Sequence, residues 1–470
     1  MPGHEPILLT DEQMRKFIAE GYLILQTDFP KAFHDRLNEQ LNRVYEEEGN
    51  PGNNLLPRVR EVQKIFDHPV VAGALTSVLG PGYMLHAHRH GHFNAVPKPG
   101  AWHKDSYWGY HRIRNHHPWW AMIMYFPQDT PPELGPTGVL PGTQHYESRT
   151  FETDDVEGEA LASGKAGTFA LIHYDIWHRS TPNVLGHPRY MLKFEFMRTT
   201  APTAPTWDCK DEAWSLPAAL QSPIARHPIL WEETWNWLSG RPCSLAGTLP
   251  EDADAISRLT ERLEDPFEPV ALDAAYELGC RGAAGAQALL AALRHEQTSV
   301  SRLAAYGLSI AGTAAVDGLV AALGEERDAV VAHAAFALGE LGRFAAGATP
   351  RIAALLDHPS AKVRRTAVDA LGMIPDAGQA AVDGLIRGLR DEDVQVRFMS
   401  GLALARVGAA AKDAVPHLAA ALDDDNRYVR AHAAEALRYI GTEEAKDLLI
   451  RELFNSRWCP TTTPASTFYP

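Results

Sequence analysis

The spacing of apolar and polar positions changes character along the chain. Near the start, "TDEQMRKFIAEGYLIL" (10–25) reads as a helical stretch, with Thr10 as N-cap and Gln13 three residues on. In "KAFHDRLNEQLNRVYEEEG" (31–49), Phe33, Leu37, Leu41 and Val44 recur with the period of an amphipathic helix. From about residue 83 the signal becomes short strands broken by Pro and Gly: "YMLHAHRHGHFNAV", "AWHKDSYWGYH", "WWAMIMYFP", "TGVLPGT", "GTFALIHYDIWH" and "RYMLKFEFMR". Strands of this length between turn signals predict a barrel or sandwich. A linker, "SGRPCSLAGTLPED" (239–252), ends this half.

Beyond the linker the pattern repeats. The strings "LDAAYELG", "RLAAYGLSIAG", "AHAAFALGELG", "RRTAVDALGMI", "MSGLALARVG" and "AHAAEALRYIG" align on Leu278, Leu308, Leu338, Leu371, Leu404 and Leu437, with steps of 30, 30, 33, 33 and 33. Three units carry a Val-Arg pair (Val363 and Arg364, Val396 and Arg397, Val429 and Arg430), and Gly312, Gly342, Gly408 and Gly441 mark helix ends. Alanine at inner positions lets helices approach, and each helical pair buries its apolar stripe only by stacking on its neighbours. This predicts an all-α solenoid of about six pairs. The units resemble HEAT repeats. The resemblance implies a binding or scaffolding surface. One HEAT family binds iron through repeated His-Glu pairs, but this solenoid has a single such pair, His295-Glu296, between helices; His333 and His432 precede Ala-Ala and read as surface or packing residues. The organisation expected is a β-rich domain with flanking helices over 1–240, a solenoid over 253–455 and an irregular tail over 456–470.

Composition sharpens the contrast between the halves. Ten of eleven Trp lie at or before Trp237, and sixteen of 21 His at or before His227, eight of them between His86 and His117. Charge does not divide this way: residues 1–245 hold 22 Lys+Arg against 28 Asp+Glu, and 246–470 hold 22 against 31. Neither half is basic, which disfavours nucleic acid as a partner. No unbroken apolar run approaches the roughly 20 residues that cross a bilayer, and four scattered cysteines make neither a zinc knuckle nor a disulfide framework. A cytoplasmic protein with no membrane association is the expectation.

The candidate chemistry lies among the histidines. In a strand, residues i and i+2 share a face, so the imidazole and carboxylate of His103-Lys104-Asp105 can converge on a metal. A His-x-Asp is expected about once by chance in a chain this rich in both, and a second occurs at His173-Tyr174-Asp175. The surroundings favour the first. His178 follows Asp105 by 73 residues at the end of an alternating strand, with Ser180 two residues and Arg189 eleven residues beyond it; the turn-rich "GPTGVLPGTQHY" (135–146) lies between. Two His and one Asp on one metal leave three open positions, the arrangement of non-haem Fe(II) oxygenases.

At "WHKD" (102–105), "GPTGVLPGTQH" (135–145), "WHRS" (177–180) and Arg189 the sequence resembles the phytanoyl-CoA dioxygenase family of Fe(II)/2-oxoglutarate oxygenases. The resemblance covers about half the chain. It implies a double-stranded β-helix, or jelly roll, with His103, Asp105 and His178 as iron ligands and O₂ as co-reactant. Arg189 would then clamp the distal carboxylate of 2-oxoglutarate, helped by the Ser180 hydroxyl. Many relatives carry Gln at the position of Lys104. The retained Asp105 argues against halogenation, for which relatives replace that carboxylate with a small residue.

Other positions stay open. If the apolar parity of the last strand (Tyr190, Leu192, Phe194, Phe196) lines the barrel, Arg189 points outward, and Arg179 is the fallback clamp. Trp102, Tyr107, Trp108, Tyr110, Trp119 and Trp120 are candidates to wall a substrate pocket, and Asn94 could hydrogen-bond cosubstrate or substrate. His86, His88, His90 and His92 share one strand face, as an entrance lining or a second metal site. The expected function is hydroxylation of a small organic substrate with release of succinate and CO₂. The alternatives are a scaffold with an inert jelly roll, or an oxygenase acting on a protein partner held by the solenoid.

Overall fold

The computed structural model describes residues 5–105, 113–154, 156–220 and 224–455. The first helix, Asp11–Glu20, begins where expected: Thr10 accepts from the Gln13 amide, and the Gln13 side chain returns to the Thr10 N–H. It does not run on through residue 25. Gly21 adopts a left-handed φ of 78° and ends the helix, so "YLIL" becomes part of strand β1, Tyr22–Gln26. The helix Lys31–Glu48 buries Phe33, Leu37, Leu41 and Val44, as its periodicity predicts.

Seven more strands follow: β2 Met84–Asn94, β3 Trp120–Tyr125, β4 Thr137–Val139, β5 Ala160–Leu161, β6 Thr168–His173, β7 His178–Ser180 and β8 Arg189–Met197. They form an antiparallel sheet ordered β1-β6-β3-β8-β2 and a smaller one ordered β5-β4-β7, consistent with a jelly roll. Two expectations change here. "GTFALIHYDIWH" is not one strand: β6 ends at His173 and a turn carries the chain into the smaller sheet, where β7 opens with His178. In "AWHKDSYWGYH" the described residues form no regular strand either; His103 makes an isolated antiparallel bridge to His178.

The parity of β8 also resolves. Phe194 and Phe196 pack edge-on against Phe66 of the helix Val62–Phe66, on the outer face of the large sheet. Arg189, Met191, Lys193 and Glu195 take the opposite face and line internal cavities. The apolar parity therefore meets flanking helices, and the charged parity faces the barrel interior.

After the helix Pro228–Leu238 and the turns that follow it, helices run from Ala253 to Asn455. The six aligned leucines, Leu278 to Leu437, are each fully buried. The Val-Arg pairs acquire a physical role. Val363, Val396 and Val429 are buried, while Arg364 reaches Asp391 (Nε–Oδ2 2.7 Å) and Arg397 reaches Asp424 (Nε–Oδ2 2.8 Å), tying each repeat to the next turn. Gly307 shows why small residues recur: a Cβ there would lie 2.3 Å from the Ala275 carbonyl of the preceding repeat. One amendment concerns membranes. The stretch Asp328–Asp357 is long and apolar enough to span one (mean hydropathy 1.2), but 72% of its most apolar window is buried among neighbouring helices.

The solenoid lies against the barrel through buried polar contacts. Glu268 accepts from the Glu147 and Ser148 amides (3.0 and 2.7 Å), and Tyr276 meets His116 Nδ1 (2.7 Å). Asp273 meets His227 Nδ1 (2.6 Å), and Glu340 binds both Asn115 and His117. Farther along, Arg406 covers Trp119 (4.8 Å) and Tyr439 donates to the Gly82 carbonyl (3.1 Å).

His333 and His432 belong to the interior rather than the surface. His333 Nδ1 donates to Ser301 Oγ (2.7 Å), whose hydroxyl donates to the Leu293 carbonyl (2.7 Å), and burial pushes the imidazole down to about 3. Folded His333 thus stays neutral where the unfolded chain, with an ordinary value of about 6.5, takes up a proton. Its contribution is complete above about pH 6.5 and is lost as pH falls toward 3. Urea unfolding of wild type and His333→Gln should therefore show a wild-type advantage that shrinks between pH 7 and pH 4; parallel pH profiles would contradict this linkage.

Candidate metal centre

His103, Asp105 and His178 bring one ligand atom each to within 4.8 Å of one another. Among the described residues they are the one group of three or more potential ligands that converge. Reciprocal backbone hydrogen bonds, His103 N to His178 O and His178 N to His103 O (both 3.0 Å), set the two imidazoles side by side with centroids 4.3 Å apart. Each ring is oriented by its own chain: His103 Nδ1 donates to the Ala101 carbonyl (2.9 Å) and His178 Nδ1 to the Ile176 carbonyl (3.1 Å). A carbonyl only accepts, so both Nδ1 atoms carry a proton and Nε2 is the atom each ring has left to offer a metal. Asp105 Oδ2 lies 3.5 Å from His178 Nε2.

Burial by itself would raise the Asp105 carboxyl, but the Lys193 ammonium at 2.5 Å and the two imidazoles carry it well below the usual carboxylate range. Burial holds His178 down to about 3. A carboxylate at Asp105 and a neutral imidazole at His178 are the protonation states that a divalent transition metal takes.

Lys104, between two of the candidate ligands, turns the other way. It is fully buried and donates to the Thr143 and Tyr146 carbonyls (2.9 and 2.6 Å), pinning the Pro-Gly turn and the 3₁₀ segment Thr143–His145 beneath the ligand segment. Burial drives its amine well below the ordinary lysine value.

Arg189 is 1% exposed and faces a cavity of about 370 Å³ that it shares with His103, His178, Ser180, Lys193 and Asn94. Its Nε donates to the Gly135 carbonyl (2.9 Å), its Nη1 is buried with no partner among the described residues, and burial lowers it only to about 10. Gly135 makes that carbonyl available. It holds a φ of +73°, and a Cβ there would sit 2.6 Å from the Thr181 carbonyl. The fallback Arg179 is spent elsewhere, paired with Glu159 (Nε–Oε1 2.9 Å) and covering Trp102 at 4.4 Å.

Other candidates fare unevenly. His173 Nδ1 accepts the Asp175 amide, and Asp175 faces Arg114 at 4.0 Å, so the rival His-x-Asp is not part of the converging group. Trp102 packs with Leu140 and Trp177 in a small separate cluster, and its Nε1 donates to the Asp154 carbonyl (3.1 Å). Trp119 faces Trp237 and Arg406, while Trp120 supports His86 and Tyr174. Tyr107, Trp108 and Tyr110 lie outside the described residues. Asn94 lines the smaller cavity, although its amide already donates to the Thr181 carbonyl (3.1 Å) and its oxygen accepts from Val96.

A larger cavity of about 730 Å³ adjoins the triad and is lined by His86, His88, His90 and His92 together with Lys193 and Glu195. His86 Nδ1 lies 2.9 Å from Glu195 Oε2; burial lowers the imidazole to about 3 and raises the carboxyl to about 7. Lys193, Glu195 and Gly135 were not singled out from sequence. The first two share the parity of Arg189 on β8, which faces the cavities.

The phytanoyl-CoA dioxygenase family model matches residues 8–191, and the HEAT-repeat model matches 316–404, 348–438 and 382–457. Residues 8–191 are thus a phytanoyl-CoA dioxygenase domain, and 316–457 are HEAT repeats. No curated protein matches the chain. Among solved structures, the chain is similar to the non-heme alpha-ketoglutarate-dependent carbocyclase SnoK from nogalamycin biosynthesis (17% identity, 42% of this chain, 88% of that one, TM-score 0.34). It is also similar to HygX from Streptomyces hygroscopicus with nickel and 2-oxoglutarate bound (12% identity, 45% and 95%, TM-score 0.34). It is similar as well to a designed armadillo repeat protein in complex with a (KR)4 peptide (18% identity, 40% and 99%, TM-score 0.30).

The donor set makes a direct prediction. Anaerobic titration with Ni(II) or Fe(II) should find one tight site per chain, weakened by about a hundredfold or more in Asp105→Ala and in His178→Ala. Equal affinity in wild type and both variants would remove the triad as the metal site.

Proposed function

We propose that the N-terminal half is an Fe(II)- and 2-oxoglutarate-dependent oxygenase that hydroxylates a C–H bond of a small organic substrate, releasing succinate and CO₂. The observation that carries this reading is the convergence of two imidazoles and a carboxylate beside a buried arginine whose Nη1 has no partner among the described residues. Iron bound there would supply the coupling of oxidative decarboxylation of 2-oxoglutarate by O₂ to oxidation of the substrate.

The chain's own residues do the rest. His103, Asp105 and His178 would hold the metal and leave open positions for cosubstrate and O₂. Arg189 offers Nη1 to the distal carboxylate of 2-oxoglutarate, while the Gly135 carbonyl on Nε fixes the plane of the guanidinium. Ser180 lines the same cavity and can add a hydroxyl donor. Met191, beside Arg189 on the inward parity, supplies apolar surface against the cosubstrate's methylene groups. The larger cavity, about 730 Å³, suits a small molecule better than a folded protein.

Loaded anaerobically with Fe(II) and then given O₂ and 2-oxoglutarate, the protein should release succinate and CO₂ in equal amounts, and His178→Ala should release neither above background. Arg189→Met should raise the KM for 2-oxoglutarate by about 10- to 100-fold with metal affinity unchanged, the scale of a lost charged hydrogen-bonded pair. Turnover that is the same in wild type and both variants would refute the oxygenase reading.

A further inference from the structure

The larger cavity beside the triad is not built by the barrel alone. Part of its wall comes from the solenoid: Phe398 on the helix Val394–Val407, and Asn426, Arg427 and Tyr428 where the helix Arg427–Ile440 begins. Tyr428 lies parallel to His86 of β2, with ring centroids 5.7 Å apart and planes within 4°. Phe398 leans on Tyr428 (6.0 Å, 60°) and on His432, which in turn contacts His86 (5.2 Å). An aromatic wall thus crosses from one domain to the other. The turn beneath it is fixed, because Asn426 Oδ1 accepts from the Tyr428 and Val429 amides (2.8 and 3.4 Å).

The charges of this cavity are unequally matched. Asp105 is met by Lys193 at 2.5 Å, and Glu195 lies against His86. Arg427 is exposed at the opening, and among the described side chains its guanidinium meets only the Tyr428 hydroxyl (3.3 Å) and ring (5.0 Å). An exposed cation beside an aromatic wall favours a ligand that brings both a π-face and a negative charge.

We infer that the cavity shared by barrel and solenoid binds an aromatic carboxylate as the oxygenase substrate, with Tyr428 and His86 setting the plane of its ring and Arg427 pairing with its carboxylate. The inference deepens the oxygenase reading and rests on it. It also gives the solenoid a task inside the active site, as a wall that selects the substrate and turns it toward the triad.

The test uses the full chain loaded with Ni(II), which binds the triad without turnover, and 2-oxoglutarate. Binding of the fluorescent probe coumarin-3-carboxylate is compared with that of neutral coumarin and, by displacement, with benzoate and cyclohexanecarboxylate. We expect saturable binding of coumarin-3-carboxylate, a preference of about tenfold or more over coumarin, and stronger displacement by benzoate than by cyclohexanecarboxylate. Arg427→Gln should abolish the preference for the acid, Arg427→Lys should restore part of it, and Tyr428→Ala should weaken acid and neutral probe alike. No saturable binding of the acid, equal binding of acid and neutral probe, or an Arg427→Gln variant with the wild-type preference would each overturn the inference, as would cyclohexanecarboxylate displacing as well as benzoate. Ni(II) and 2-oxoglutarate binding are read in the same samples. Their loss in wild type marks failure of the oxygenase reading, whereas their retention with any of the probe failures marks failure of the substrate class alone.

Discussion

The site depends on one small piece of backbone, the antiparallel bridge between His103 and His178. Two reciprocal N–H···O bonds of 3.0 Å hold segments 75 residues apart in a fixed register. In such a pair the directly opposed side chains leave the same face, so both imidazoles project together, and Asp105 joins them through the next turn of its segment. Everything nearby braces that bridge. Lys104, excluded from the metal side, drives its amine into the carbonyls of Thr143 and Tyr146. The smaller sheet contributes β7, and the turn that brings the chain to it ends in His178. A metal site needs its ligands held to fractions of an ångström, and backbone hydrogen bonds achieve this where a flexible side-chain network would not.

The legible part of this architecture was the part written in local periodicity or fixed spacing. The capping box at Thr10 and Gln13, the apolar stripe from Phe33 to Val44 and the repeating leucines all depend on neighbours within a turn or a repeat. The triad was legible through the spacing of His103, Asp105 and His178, although the reason first given, a shared strand face, does not hold, since those residues sit at a bridge and a turn. What stayed hidden were long-range choices. Nothing local says that Phe194 and Phe196 meet Phe66 instead of the barrel interior, and so the strand pattern alone leaves open which face of β8 carries Arg189 inward. Aromatic content likewise does not say where a ring packs: Trp102 sits with Leu140 and Trp177 in a cluster of its own. No periodicity reports that the solenoid lies against the barrel.

That docking is built from groups that cannot tolerate separation cheaply. Glu268 and Glu340 are nearly buried, and each carboxylate is satisfied by donors from the other domain: backbone amides and a hydroxyl at Glu147 and Ser148, side chains at Asn115 and His117. Removing one partner while the domains stay docked would leave the other buried and unpaired, a penalty of order 1–3 kcal/mol for each such group. Glu268 also bears on the metal site at one remove. It grips residues 147 and 148, and the neighbouring Tyr146 carbonyl receives Lys104. A continuous polar path therefore joins the first repeat to the residue between two candidate ligands.

At its other end the solenoid reaches the site directly, and here the regularity of the repeat acquires a consequence. A wall residue in a binding cavity must be positioned closely, which a loop on a long tether does poorly. Arg364 and Arg397 each clamp the acidic turn of the following repeat, so the second of them fixes Asp424 and with it the turn at Asn426. Asn426 then caps the helix whose first residues are Arg427 and Tyr428. The same contacts that make the repeats stack thereby set the angle at which Tyr428 meets His86. Repeat and barrel differ in composition, the one rich in alanine and leucine and the other in histidine and tryptophan, because one supplies stiffness and the other chemistry. The aromatic pair where they touch is the point at which the two requirements become one.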